Sequence, residues 1–106
     1  MKDDRIYIAH ILSSIQKIET YTSLDRDAFV KSELIQDAVI RNLEIIGEAT
    51  SKISEAFRDN YPDIPWSQMK ALRNVLIHNY MGVDLDIVWN VVFRELPDLK
   101  EKLKAL

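Results

Sequence analysis

The stretch SELIQDAVIRNLEIIGEATSKISEAFRDN, residues Ser32–Asn60, decides the fold, because its apolar residues recur every three or four positions. They form two adjacent stripes, and together these are wider than one neighbouring helix would cover. The sequence therefore predicts one long helix over Ser32–Asn60 at the centre of a helical bundle, or one that also contacts a second subunit. The first stripe is Ile35, Ala38, Ile45, Ala49, Ile53 and Ala56, and the second is Val39, Leu43, Ile46 and Phe57.

Two residues interrupt this helix. Asn42 lies within the first stripe, where burial would oblige its amide to find hydrogen-bond partners. Gly47 costs about 1 kcal/mol relative to alanine in a helix interior, and a close crossing with another helix is the usual reason to carry one. A further face carries opposite charges three or four residues apart, which predicts solvated ion pairs. These pairs are Arg41–Glu44 and Glu48–Lys52.

The flanking sequence predicts more helices. Apolar residues spaced by three and four predict a first helix over about Asp4–Tyr21, with His10 on its solvated side, and a short helical turn follows around Asp27–Lys31. Pro65 suits the first turn of a third helix that runs to about His78. A fourth helix, capped by Asp84 and with an apolar face that includes Trp89 and Phe93, runs through Arg94, and Pro97 then kinks or restarts the chain. Residues 1–106 are thus predicted to be a single all-α domain, an up-and-down bundle of four main helices with a short C-terminal helix.

Composition narrows the classes of function. The chain has 106 residues, with two glycines and three prolines, which are few for the turns of a β protein. It has no cysteine, which excludes disulfides, thiolate nucleophiles and cysteine-ligated metals. The first residues resemble no signal peptide, and no apolar run approaches the roughly 18 residues of a membrane span. We therefore expect a cytoplasmic protein without a membrane partner. The net charge of −3 argues against non-specific nucleic-acid binding but leaves a local basic cleft open.

The third helix breaks the apolar pattern. Trp66, Met69, Arg73 and Tyr80 share one face, so an arginine lies within an apolar stripe. Burying a guanidinium without partners is costly, so an anionic or hydrogen-bonding group is expected to meet it. The adjacent stripe is entirely small or polar, which predicts a groove with polar groups at its base. Its members are Ser67, Ala71, Asn74 and His78.

The side chains near Arg73 and His78 suit one reaction. Their directions on a helix differ by about 140°, so they converge only if the helix unwinds, if Arg73 reaches around, or if a second copy supplies one of them. An imidazole can move a proton at a ribose 2′-hydroxyl, and a guanidinium can stabilise charge on a phosphate. These residue types suit metal-free cleavage of RNA, with no cofactor. Taken alone, however, they favour the alternative interpretation, in which Asn74 and His78 only close a buried hydrogen-bond network at the end of the helix.

The segment RNVLIHNY, residues Arg73–Tyr80, resembles the R-x4-H-x-Y motif of the HEPN superfamily in its HepT-like branch. The resemblance covers nearly the whole chain. DAVIRNLEIIGEA (Asp37–Ala49) is similar to the family's second-helix signature, and IPWSQMKALRNVLIHNY followed by VD and VW (Ile64–Trp89) is similar to its third and fourth helices. Asn79 stands where glycine is often found.

The resemblance implies a helical homodimer whose two motifs border a shared cleft. It implies a metal-independent ribonuclease toxin of a toxin–antitoxin pair, whose partner is an MntA-like nucleotidyltransferase antitoxin. Carried over to this chain, Arg73 and His78 would be catalytic on an RNA substrate, Asn74 would support the site, and Tyr80 would receive AMP from the antitoxin. The alternatives are a non-catalytic helical binding partner of a nucleotidyltransferase and a structural dimer without an active site.

Overall fold

The computed structural model describes residues 3–23, 25–77 and 85–106, with the exception of the side chains of residues 74–77. Every regular element within these ranges is helical, which confirms the all-α prediction for this part of the chain. No helix found there is long and apolar enough to cross a bilayer. In chain order the α-helices are α1 (Asp4–Tyr21), α2 (Arg26–Lys31), α3 (Glu33–Ser51), α4 (Glu55–Asn60), α5 (Trp66–Ile77), α6 (Leu85–Asn90) and α7 (Leu96–Lys104), and a π-helical turn (Val91–Glu95) joins the last two.

Helix α1 has the bounds that the sequence predicts. It begins behind Asp3, whose carboxylate accepts a hydrogen bond from the Arg5 backbone N–H at 2.9 Å and so caps the first turn. Its predicted apolar face is buried, except that Leu12 is only partly covered, and His10 is exposed as expected. The buried residues of this face are Ile8, Ile11, Ile15 and Ile18.

Helix α3 is the centre of the fold, because both α1 and α5 pack against it. The two predicted stripes differ in burial. Val39, Leu43 and Ile46 of the second stripe are completely buried, whereas Ile35 and Ile45 of the first are only half-buried. The core of this chain therefore covers the second stripe, and part of the first remains accessible.

The prediction of one helix over Ser32–Asn60 is wrong, since α3 ends at Ser51 and α4 begins at Glu55. Ser54 makes the break, because its hydroxyl accepts a hydrogen bond from the Phe57 backbone N–H at 3.2 Å and caps α4. Asp4 of α1 stabilises this cap. Its carboxylate accepts from both the backbone N–H and the hydroxyl of Ser54, each at 2.7 Å. A contact from another helix, which helical periodicity does not show, thus supports the start of α4.

The Asp4 contact makes stability depend on pH. The backbone N–H of Ser54, and next its hydroxyl, stabilise the Asp4 carboxylate and hold its pKa below the ordinary value of 3.8. A pKa that is lowered by folding adds stability above the unfolded value, and this stability is lost as the pH falls through the folded pKa. We expect Asp4→Asn to lower the Tm at about pH 6 and the difference from wild type to shrink below pH 3.8.

Thermal melts of both proteins between about pH 2 and pH 7 check this prediction. Asp59→Asn is the matched control, because Asp59 is exposed and forms no ion pair with another described residue. A wild-type advantage over Asp4→Asn that stayed constant down to about pH 2 would contradict an electrostatic origin.

The helix predicted to run through Arg94 continues through the π turn into α7, and Pro97 lies in the first turn of α7. A proline has no N–H to donate to the carbonyl four residues earlier, and its ring clashes with that carbonyl. The π turn immediately before α7 shifts the hydrogen-bond register, and the Leu96 N–H donates to the Val91 carbonyl five residues back. Helix α7 packs on α1, where Lys100 pairs with Glu19 at 3.0 Å. The predicted cap Asp84 lies outside the described residues.

Phe93 is exposed, although its position in the apolar pattern of the fourth helix predicts burial. The predicted apolar face of the fourth helix holds for Val88 and Val92, which are buried, but Phe93 is 67% exposed. Its ring stacks on Trp89 with centroids 6.1 Å apart, and Trp89 in turn contacts the buried Phe29 at 5.4 Å. The predicted burial of Phe93 is therefore wrong; the residue lies in the π turn, where the period of a regular helix does not apply.

Candidate active site

Helix α5 carries the first two residues of the motif, and aromatic contacts fix its N-terminal end. The helix begins directly after Pro65, as predicted, and Trp66 is buried there. The Trp66 indole N–H donates to the carbonyls of Tyr61 at 2.9 Å and Arg58 at 3.2 Å. Its ring also meets the ring of Phe57 edge-on at 6.3 Å. The start of α5 is thereby tied to α4 and to the turn after it.

The middle of α5 crosses α3 at Gly47, which confirms the predicted close crossing. A methyl group placed on Gly47 would lie 2.8 Å from the backbone nitrogen of Arg73 and 2.9 Å from its Cβ. It would also lie 3.2 Å from the Lys70 carbonyl oxygen. Only glycine lets the two helices approach this closely at the turn from Lys70 to Arg73.

Arg73 is exposed, so the expectation that its guanidinium needs a partner inside an apolar stripe is wrong for the single chain. The apolar stripe of α5 is buried at Trp66 and Met69, but its next member reaches solvent. The backbone and Cβ of Arg73 fill the helix contact at Gly47, and the residue is nevertheless exposed. The charge therefore escapes the cost of desolvation.

Among the described residues, the ion pairs around this crossing do not include the two cations of α5. Glu44 pairs with Arg41 at 3.6 Å and Glu48 with Lys52 at 4.0 Å, as the spacing on α3 predicts. Neither Arg73 nor the exposed Lys70 forms an ion pair with any residue that the structure describes. This part of α5 can therefore offer unneutralised positive charge to an external anion.

Asn42 satisfies only half of its predicted hydrogen bonding. The residue is 6% exposed, and its amide N–H donates to the Ala38 carbonyl at 2.9 Å. Its side-chain oxygen is buried and has no partner among the described residues. A buried polar atom of this kind is uncommon and costs free energy, so Asn42 keeps an unused acceptor within the fold.

The rest of the motif lies beyond what the structure describes. Asn74 belongs to α5, but its side chain is outside the described set, and His78 and Tyr80 are outside it entirely. In the predicted polar stripe, Ser67 is exposed and Ala71 half-buried. The convergence of Arg73 with His78 stays a prediction, as do the roles of Asn74 and Tyr80.

One surface feature went unnoticed in the sequence. An open groove of about 420 Å³ runs between α1 and α3. The half-buried Ile45 of the first apolar stripe lies on its wall, opposite Ile6, which is 52% exposed. The width of the two stripes on α3 is the signal that could have indicated it. The groove is lined by Ile6, Tyr7, His10, Ile45, Glu48, Ala49 and Lys52.

Within the described ranges, no three histidine, aspartate or glutamate side chains cluster as a metal site.

Comparison with known proteins finds one family model and several relatives that match this chain. A family model described as "Ribonuclease HepT-like" matches residues 11–106. A Methanocaldococcus jannaschii protein named "Gamma-glutamylcyclotransferase and putative RNase" is 48% identical over 103 residues, which are 96% of this chain and 46% of the relative. The chain thus spans about half the length of that relative.

Two further relatives match over most of both chains. A "Putative RNase" of Methanocaldococcus jannaschii is 38% identical over 99% of this chain and 97% of its own length. A "Probable ribonuclease HepT" of Thermococcus cleftensis is 41% identical over 94% of this chain and 92% of its own. No solved structure matches the chain significantly.

Proposed function

Because this chain belongs to the HepT-like ribonuclease family, we propose that it cleaves RNA without a metal ion, using Arg73 and His78. The exposed guanidinium of Arg73 carries this proposal. The backbone and Cβ of Arg73 pack against α3 at the crossing, and no described carboxylate neutralises the guanidinium. A guanidinium in that position can bind a phosphodiester and stabilise the negative charge that develops on it.

His78 is the proton-transfer group of the proposed reaction. Its neutral imidazole takes the proton of the ribose 2′-hydroxyl, and the 2′-oxygen forms a bond to phosphorus as the bond to the 5′-oxygen breaks. The leaving oxygen receives a proton from an imidazolium or from water. Asn74 supports the site through the hydrogen bonds of its amide.

A homodimer resolves the separation of the two catalytic side chains. On one helix their directions differ by about 140°, and a second copy beside the first furnishes a cleft from both chains. The half-buried part of the first α3 stripe, at Ile35 and Ile45, supports a further contact of this helix. We propose a single-domain bundle of four main helices that pairs in this way.

Regulation follows from Tyr80 in this proposal. A nucleotidyltransferase antitoxin would join the Tyr80 phenolic oxygen to the α-phosphate of ATP, with pyrophosphate as the leaving group and the phenolic proton lost. The attached AMP adds bulk and negative charge near Arg73, which blocks the cleft and repels an RNA phosphate. The chain would then be the toxin of a cytoplasmic toxin–antitoxin pair.

A non-catalytic partner of a nucleotidyltransferase is the second candidate. The net charge of −3 favours it, because a chain with excess acidic residues attracts RNA poorly outside a local basic cleft. This candidate gives no role to Arg73, which no described carboxylate neutralises.

The intact mass of the protein tests the proposed regulation. We expect the chain co-expressed with the nucleotidyltransferase of its neighbouring gene to gain one or more AMP units, and Tyr80→Phe to gain none. Tyr61→Phe is the matched control, because that half-buried tyrosine lies outside the motif. The unmodified protein should cleave RNA in the presence of a chelator, and the modified protein should not.

The opposite results separate the two candidates. Stable binding of the two proteins with no added mass and no RNA cleavage would favour the non-catalytic partner. Added AMP that persists in Tyr80→Phe would overturn the role of Tyr80 and leave the ribonuclease proposal standing.

A further inference from the structure

We propose that Gly47 of α3 is a positioning residue for Arg73. Because Gly47 has no side chain, it fixes the position of the backbone and Cβ from which the catalytic side chain of Arg73 extends. This inference rests on the proposed function, since it requires Arg73 to act on RNA. The observation behind it is the close crossing, where position 47 of α3 faces the backbone of Arg73 on α5.

The crossing leaves no room for even one methyl group. A Cβ on Gly47 would lie 2.8 Å from the Arg73 backbone nitrogen and 3.2 Å from the Lys70 carbonyl oxygen. Neither atom can move by a change of side-chain rotamer, because both belong to the backbone of α5. A larger residue at position 47 must therefore displace the turn from Lys70 to Arg73.

Backbone conformation does not explain the glycine. No described glycine has a positive φ, and Gly47 lies buried within the regular helix α3. Alanine would suit such a helix position better, because glycine loses more backbone freedom on folding. Space at the crossing is the remaining reason for glycine at this point.

The contact fixes the backbone and Cβ of Arg73 but does not hold the rest of its side chain. Its Cβ is seated against Gly47, and the buried Met69 anchors the preceding turn of α5 in the core. The rest of the side chain reaches solvent. A guanidinium that starts from a fixed point loses less freedom when it closes on a phosphate, and a displacement of about 1 Å can cost about a hundredfold in rate.

Gly47→Ala is the primary test. We expect it to lower the kcat for RNA cleavage by about tenfold to a hundredfold, with KM changed less than about threefold, in the folded fraction of the protein. Ile46→Val is the matched control, because Ile46 is the completely buried neighbour on the same helix and its truncation weakens the core while position 47 stays glycine. This control should cleave RNA at close to the wild-type kcat once the folded fraction is equal.

A double-mutant cycle with Arg73→Ala separates positioning from stability. Alanine at position 73 keeps the backbone nitrogen and Cβ that a methyl on residue 47 would strike, but it removes the guanidinium. We therefore expect Gly47→Ala to lower the Tm equally in both backgrounds and to lower kcat only where Arg73 is present. Single-turnover assays with excess enzyme measure the residual cleavage.

Each result is decisive. Equal loss of kcat in both backgrounds, or a Gly47→Ala protein as active as Ile46→Val, would overturn the positioning role while the proposed function stood. A wild-type protein that does not cleave RNA would overturn both. If Gly47→Ala unfolds in the assay, the cycle is run in a Gln68→Glu background, which adds an acidic residue to the first turn of α5, where none is present.

Discussion

His78→Ala lowers the rate of RNA cleavage by about a hundredfold to ten-thousandfold while the protein stays folded. The reason is that an imidazole is the side chain suited to both accept and donate a proton near neutral pH, whereas the amide of Asn74 does neither. Initial rates on a single-stranded RNA in the presence of a chelator, together with a thermal melt of each protein, check the expectation.

His10→Ala is the control for this experiment. The chain has two histidines, and His10 lies exposed on α1, where its ring contacts Tyr7 edge-on at 6.3 Å. We expect its removal to leave the cleavage rate within about twofold. Equal rates for His78→Ala and wild type would favour the non-catalytic partner of a nucleotidyltransferase, and a collapsed His78→Ala protein would favour a purely structural role.

Leu43→Ala destabilises the protein by about 2–5 kcal/mol. Leu43 is completely buried at the centre of α3, in the stripe that the core covers, so the shorter side chain loses apolar burial and leaves a cavity. A loss of this size is a large part of the total stability of a small domain. Urea denaturation followed by circular dichroism measures the change in the free energy of unfolding.

Leu34→Ala is the matched control, because it is the same substitution on the same helix at a residue that is 80% exposed. We expect a change of at most about 0.5 kcal/mol from it in the monomeric protein. If both substitutions lowered the free energy of unfolding by similar amounts only at high protein concentration, a second subunit would be covering Leu34. Similar losses at all concentrations would contradict the assignment of the core.

The architecture near α3 follows from local pattern to a large extent. The 3.6-residue period predicts α1 with its observed bounds, and the spacing of charges predicts the Arg41–Glu44 pair. Gly47 predicts a close crossing, because an interior glycine is unfavourable unless another helix needs the space. These features depend on neighbours within one or two helical turns, or on a single unusual residue, and can therefore be predicted from the sequence.

For the candidate site, the sequence names the residues but not their arrangement. Arg73, His78 and Tyr80 are the fixed positions of the R-x4-H-x-Y pattern, and the family resemblance adds Asn74; their roles stay predictions. Periodicity alone assigns Arg73 to an apolar stripe and implies burial, which is wrong. The exposure of Arg73 depends on how α5 packs against α3, which the period of one helix does not contain.

The sequence by itself determined the all-helical fold, the central role of α3 and the irregularity of the helix near Pro97, because helix formation and its interruption are governed by nearby residues. Tertiary structure alone decided that the Asp4 carboxylate, fifty residues away in sequence, meets the Ser54 cap of α4. It alone also decided that Gly47 of α3 faces the backbone of Arg73 on α5, and that Arg73 is exposed. These features depend on distances between helices, which a pattern along one helix does not contain.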